Sequence, residues 1–178
     1  MKIKTEKILL VLRILAFMGA IGYSIEFGAQ LTSLVASFIN PEWAKRTYQV
    51  NLDIFKIRDQ SISFYAYAMC LNIAVSTLKA TIWYVVYSLL TKLKLQTPFS
   101  MQVEKKLESI AYLSLAVWIV SSIFWKTYAY YLLQATGIHL PPNSNEGGEY
   151  FFMAGIIYIV SQIFKRGIEM QEENQLTV

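Results

Sequence analysis

Residues 61–91 read SISFYAYAMCLNIAVSTLKATIWYVVYSLLT, a run of mostly apolar positions with one charge, Lys79. A helix crossing the ~30 Å hydrocarbon core of a bilayer needs ~20 mostly apolar residues. At 1.5 Å per residue this stretch reaches ~46 Å, so it spans with tilt or with its ends projecting. Three other segments read similarly. Ile8 to Phe38 is interrupted by Arg13 and Glu26, and Ser109 to about Thr136 carries only Lys126. Tyr150 to Phe164 is uncharged and stops at Lys165-Arg166; it reaches spanning length by taking in Gly147 to Glu149 or running past Lys165. The expected fold class is an all-α polytopic membrane protein. Four transmembrane helices, about 8–38, 61–93, 107–136 and 149–168, join through short connections into one domain over 1–178.

Composition agrees. The 178 residues are 55% hydrophobic and 16% charged, with mean hydropathy +0.39. An average soluble domain is nearer ~25% charged. A disordered chain, a collagen-like fibre and a disulfide scaffold are excluded. Lys2, Lys4 and Lys7 resemble the basic start of a signal peptide. Arg13 interrupts the following apolar run, no A-x-A site appears and apolar sequence continues to Phe38, so the segment reads as a retained anchor.

The formal net charge is +4. In a soluble chain this would suggest nucleic acid; here the placement of the charges reports how the chain is threaded. Lys2, Lys4, Lys7, Arg13, Lys92, Lys94, Lys105, Lys106, Lys165 and Arg166 lie in the N-terminal region, the middle connection and the tail. Lys45, Arg46, Lys56 and Arg58 lie in the first loop, and none lies in the third. The positive-inside rule then puts both termini in the cytoplasm, N-in and C-in. Trp125, Tyr128, Tyr130, Tyr131, Tyr150, Phe151 and Phe152 gather at the expected outer ends as an interfacial belt.

Asn40-Pro41 is a helix-start signature in the first outer connection. Tyr48, Val50, Leu52 and Ile54 then alternate with Gln49, Asn51 and Asp53, a strand-like period of two. The second outer connection, 137–148, is rich in turn formers.

Ionisable residues within spans are costly and usually face the bundle interior. Counted from the presumed cytoplasmic ends, Glu26 and Lys126 fall at one level and Lys79 about one turn deeper. Gly19, Gly22, Glu26, Ala29 and Ser33 share a stripe on the first helix. Ala68, Asn72, Ser76 and Lys79 do so on the second, Ser114, Ser121, Ser122, Lys126 and Ala129 on the third, and Gly155, Tyr158 and Gln162 on the fourth. One reading is a polar intramembrane site built from Glu26, Lys79, Lys126, Asn72 and Gln162. The other is a structural ion pair that pins helix register. Two lysines against one glutamate leave an unpaired positive charge, which favours an anionic ligand, a lipid headgroup or a water-filled cavity.

No nucleotide-binding, metalloprotease or nucleophile-elbow motif occurs. Cys70 falls inside a span and His139 in an outer connection, so the pair forms no dyad. The expectation is a protein that is not an enzyme, with no cofactor and no metal.

Two segments expected in the cytoplasm stand out. Pro98-Phe99-Ser100 precedes the third span, with Pro98 or Ser100 suited to start a helix. The tail runs Arg166-Gly167, Glu172-Glu173 and Leu176-Thr177-Val178. In these the chain resembles the bacterial membrane family of domain of unknown function 2975. Members carry a Pro-Phe-Ser/Thr turn before the third helix and an Arg-(Glu)-Gly…Leu-x-Glu-Glu-x-x-Leu-Thr-Val tail. This chain lacks the acidic residue between Arg166 and Gly167, and Met170 stands where leucine is frequent. The four-span layout matches over nearly the whole chain.

The resemblance implies a four-helix bacterial plasma-membrane protein whose gene neighbour is often a helix-turn-helix regulator. The expected function is a sensor that binds or sequesters such a DNA-binding regulator through Pro98, Phe99, Ser100, Arg166, Gly167, Glu172, Glu173 and Leu176. Membrane lipid is the other expected partner, and the chain itself contacts no nucleic acid. The alternatives are a small transporter or channel component, where a homo-oligomer could enclose a pore, and an immunity protein against membrane-active peptides.

Overall fold

The computed structural model describes the backbone of residues 2–47, 52–93, 99–138 and 147–176, with side chains over 6–44, 56–93, 99–138 and 147–173. Among the described residues the chain is helical and contains no strand. Helix α1 runs Lys2–Ile39, α2 Pro41–Thr47, α3 Leu52–Gln60 and α4 Ile62–Lys92. Helix α5, Met101–Trp118, passes through a π-helical segment, Ile119–Phe124, into α6, Trp125–Thr136, and α7 runs Gly148–Leu176. Four helices are long and apolar enough to cross a membrane: α1, α4, the continuous α5–π–α6 rod and α7. The protein is a multi-pass membrane protein. Large apolar side chains lie exposed over the outward half of α1, among them Ile8, Val11, Ile14, Phe17, Met18 and Ile25. A broad outward face of large apolar side chains suits lipid as its solvent.

Close packing runs in series, α1 on α4, α4 on α5 and α5 on α7, each pair antiparallel. We call the end where α1 starts and α7 finishes the near end, and the opposite one the far end. The α1 seam is Ala16, Gly19, Tyr23, Glu26, Gln30, Ser33 and Ser37, an unbroken three-four alternation. Gly19 holds the closest approach: a Cβ there would lie 2.6 Å from the Trp83 ring. The Phe17 and Tyr87 rings follow, with centroids 5.5 Å apart.

Arginines terminate this hairpin at both ends. Arg13 Nε donates to the Leu90 carbonyl at 2.8 Å, in the last turn of α4. Arg58 Nε and Nη2 donate to the Ser37 carbonyl at 3.1 and 2.6 Å, in the last turn of α1. The last four carbonyls of a helix lack intrahelical partners and carry its negative dipole end, so a guanidinium there satisfies both. The charge that interrupts the first apolar run is therefore a cap on its neighbour. Replacing Arg13 by Met should lower stability by about 1–2 kcal/mol. Thermal melts in detergent would read this, and Arg13→Lys should recover part of the loss.

The strand expected around 48–54 is not formed where the structure describes it: Leu52, Asp53 and Ile54 are helical, and residues 48–51 lie outside the described set. Helical spacing toward the fully buried Ile57 decides the segment. The helix start at Asn40-Pro41 is present; Asn40 Oδ1 accepts from the Trp43 amide at 3.1 Å. Gly137, with φ +70°, closes α6 by donating its N–H to the Leu133 carbonyl at 2.9 Å. His139 and most of the second outer connection lie outside the described residues.

Helix α7 is offset from its neighbours. Gly147 packs on Ser121 and Ser122, Trp118 on Phe151 at 4.8 Å, and Tyr112 on Tyr158 at 6.1 Å. The first turn of α7 therefore meets the π-helical segment, and α6 continues ~22 Å beyond it to Thr136. Tyr150, Phe151 and Phe152 accordingly do not share the level of the exposed Tyr130 and Tyr131, as a single belt would require.

Candidate functional site

At mid-length of α4 the seams carry polar groups in two rungs. In the first, Glu26 Oε1 accepts from Gln30 Nε2 at 3.1 Å and lies 3.1 Å from Ser76 Oγ. Ser76 Oγ is also 3.0 Å from Gln30 Oε1, so its single proton serves two acceptors. One turn toward the near end is Lys79, only 8% exposed. Its Nζ sits 5.7 Å from the centroid of the Tyr23 ring and 5.5 Å from that of Tyr150. Both are cation–π distances. Among the described residues no carboxylate comes within 4.0 Å of this ammonium and no hydrogen bond to it is formed.

Lys79 opens into a half-enclosed cleft of about 410 Å³ shared by α1, α4, α5 and α7. Tyr23, Lys79, Glu149 and Tyr150 form its polar part. Ile82, Trp83, Val86, Ile110, Met153 and Ile157 form the rest. Along α4 and α7 these apolar groups all lie on the near-end side of the polar ones. The cleft is thus amphipathic along its length, with the cation at one end. A volume of this size lies in the range that houses small ligands.

Two further features sit at this level. The π-helical segment breaks the regular ladder; the Trp125 amide bonds the Val120 carbonyl five residues back. Such insertions are frequent at functional sites. Beside it, Gly147 at φ +67° brings backbone against the buried Ser121 and Ser122 hydroxyls and starts α7.

Glu26, Lys79 and Asn72 share this neighbourhood, with Asn72 half-buried one turn beyond Ser76. Lys126 does not. It is exposed, and it lies about 15 Å farther along than Glu26, because Tyr128 packs on Phe64 while Ser76 meets Glu26. The buried face of α6 is Tyr128 and Leu132, and Lys126 stands about 200° from Tyr128 around the helix. The ion pair expected between Glu26 and Lys126 is therefore absent. Gln162 is also elsewhere, about 18 Å from Tyr150 along α7, its Nε2 3.5 Å from Ser161 Oγ. The inward face of α7 is Ala154 and Ser161, while Gly155 and Tyr158 are exposed. Sequence reasoning missed Tyr23, Gln30 and Tyr150. Strict three-four spacing from Gly19 would have reached the first two.

The near end joins the two segments that carry the family resemblance. The Phe99 and Phe164 rings are 5.0 Å apart. A Cβ on Gly167 would meet the Phe99 ring at 2.8 Å, so only glycine admits this contact unshifted. Ser100 occupies the N-cap position of α5 in extended conformation, without a side-chain cap bond. Arg166 pairs with Glu169 at 2.9 Å, both exposed, and Glu172 and Glu173 are exposed on the same helix. An exposed pair of this kind adds little stability. Pro98 and the Leu176 side chain lie outside the described residues.

Residues 30–178 match the family described as Protein of unknown function (DUF2975), and the chain belongs to that family. No curated protein and no solved structure shows significant similarity to it.

Proposed function

We propose that this family member is a sensor in the bacterial plasma membrane, with both termini in the cytoplasm. Occupation of the Lys79 cleft would bias how a cytoplasmic DNA-binding regulator is held at the near end. One observation carries the reading: the two places are ends of the same rod. Helix α7 lines the cleft with Tyr150 and clasps Phe99 through Phe164 and Gly167, in one unbroken helix. A ligand that distinguishes two positions of α7 would shift that end, since a ligand moves an equilibrium only by its differential affinity. The exposed Arg166, Glu172 and Glu173, and the accessible carboxylate of Glu169, then present charge to the partner.

Removing Phe99 loosens the clasp without touching the cleft. Phe99→Ala, and separately truncation after Phe164, should each abolish recovery of a DNA-binding protein in an in-cell cross-linking pull-down, with membrane insertion intact. Recovery undiminished by both changes contradicts the reading.

A second reading, a small transporter component, draws on the start of α7 at mid-length beside an irregular turn; helix starts at such depth frame the sites of many carriers. Flux of a solute in vesicles holding wild-type protein, altered by Glu26→Gln, would favour it.

A further inference from the structure

The cleft's ligand can be narrowed by its chemistry, on the premise that the cleft is a site at all. Lys79 is more than nine-tenths buried and meets ring faces rather than an anion. A cation held inside a spanning bundle is costly unless something compensates it, and such residues ordinarily pair. Tyr23 and Tyr150 supply part of the compensation and leave the ammonium's hydrogen-bond donors unused. The void beside it is the remaining direction from which an acceptor can come.

Three features define that acceptor. The cleft is polar at the Lys79 end and apolar for about 10 Å toward the near end, from Lys79 to Val86 along α4. Its walls come from all four long helices, and α1 and α7 pack against α4 and α5 but not extensively against each other; the side between α1 and α7 is therefore the least closed, and in a spanning bundle that side meets lipid. Glu149 lines the polar end as well, and Glu26 lies one turn away, while Lys126 is elsewhere, so the surplus of positive charge expected from the sequence is not present. Any anion meets these carboxylates besides Lys79, and a second negative charge on the head would add repulsion without a second cation to offset it.

We infer that the cleft binds a membrane-dissolved, single-chain amphiphile with one negative charge, of the fatty-acid type. Its carboxylate accepts hydrogen bonds from Lys79 Nζ, and its chain lies along Trp83, Val86, Met153 and Ile157. The tyrosine rings flank the ammonium and leave the carboxylate the open side.

Trp83 gives a direct readout because it lines the chain-binding part. The full-length protein in neutral-lipid nanodiscs is titrated with a bromine-labelled stearic acid, which quenches tryptophan on contact, and with the corresponding alcohol. Trp83→Phe removes the reporting ring and isolates its contribution. The expected result is saturable quenching of Trp83 by the acid, with the alcohol weaker by about tenfold or more, the worth of a charge-assisted hydrogen bond. Lys79→Met should bring the acid down to the alcohol's affinity, and Lys79→Arg should retain the preference. Equal affinity for acid and alcohol in the wild type overturns the inference without reliance on any variant; so does undiminished acid affinity in Lys79→Met. This readout involves no regulator, so its failure is distinguishable from failure of the sensor reading, which the pull-down tests.

Discussion

Gly147→Ala should destabilise the protein by about 2–4 kcal/mol, the sum of two penalties. At φ +67° an L side chain strains the backbone, and a Cβ there would collide with Ser121 Oγ and sit 3.1 Å from Ser122 Oγ. Neither hydroxyl retreats easily: both serines are buried, and Ser121 already donates to the Val117 carbonyl at 2.6 Å. The variant's melting midpoint in detergent should fall accordingly. Adding Ser121→Ala should restore part of the loss by relieving the collision, leaving the backbone strain of roughly 1–2 kcal/mol. A variant that melts with the wild type would place the start of α7 away from the π-helical segment.

The second large effect is at Gly19. Gly19→Leu should cost about 1–3 kcal/mol, the usual penalty of overpacking. A Cβ at this position meets three atoms of the Trp83 indole, at 2.6, 2.8 and 3.0 Å. The ring is rigid, so relief requires α1 and α4 to separate or Trp83 to leave the cleft it lines. Melting should register the loss, and a changed Trp83 emission should accompany it. Gly22→Leu, three residues away, is the control: no atom lies within 4 Å of its Cβ position, and little change is expected. Equal effects at the two glycines would contradict the packing seam.

The contrast between these glycines shows where the sequence was legible. The four spans were readable because an apolar run of such length has few other homes. The inner face of α4 was readable from Ala68, Asn72, Ser76 and Lys79, since small and polar side chains there contrast with their neighbours. On α1 the same logic selected Gly22 and Ala29, which fit a small-residue stripe but fall off the three-four seam. It passed over Tyr23, which the aromatic belt of a bilayer-facing helix carries as readily, and over Gln30, whose amide is costly against lipid and marked the inner face. Relative height was harder to read. Counting aligned Lys126 with Glu26, because it assumed that the helices begin at one level, and nothing in the third span besides Lys126 marks where packing sets its height. In the structure Lys106 donates to Ser88 at 2.7 Å and Tyr128 to the Phe64 carbonyl at 2.9 Å, which sets the register and carries Lys126 toward the far end. The offset of α7 leaves no local mark either; it depends on Gly147 fitting against two serines more than twenty residues earlier.

The near-end motif had a different fate. Phe99 and Gly167 stood out in the sequence as parts of two separate docking segments, yet they touch each other. Their pairing accounts for the residue types without any partner: an aromatic ring lies against a position that holds no side chain. What remains for a partner is the charged side of α7, with Arg166, Glu172 and Glu173 exposed and the Glu169 carboxylate accessible beside them.

The central claim is that the Lys79 cleft and the near end act on one another through α7. It is tested most directly by an in-cell photo-cross-linking pull-down with the reactive group at Met170, which is exposed on α7. Wild type, Lys79→Met and the same wild type in cells fed a long-chain fatty acid are compared. The account predicts a DNA-binding protein cross-linked to the wild type, with a yield that changes several-fold on fatty-acid feeding and does not change in Lys79→Met. A cross-linking yield that responds to feeding equally in both, or in neither, would contradict it.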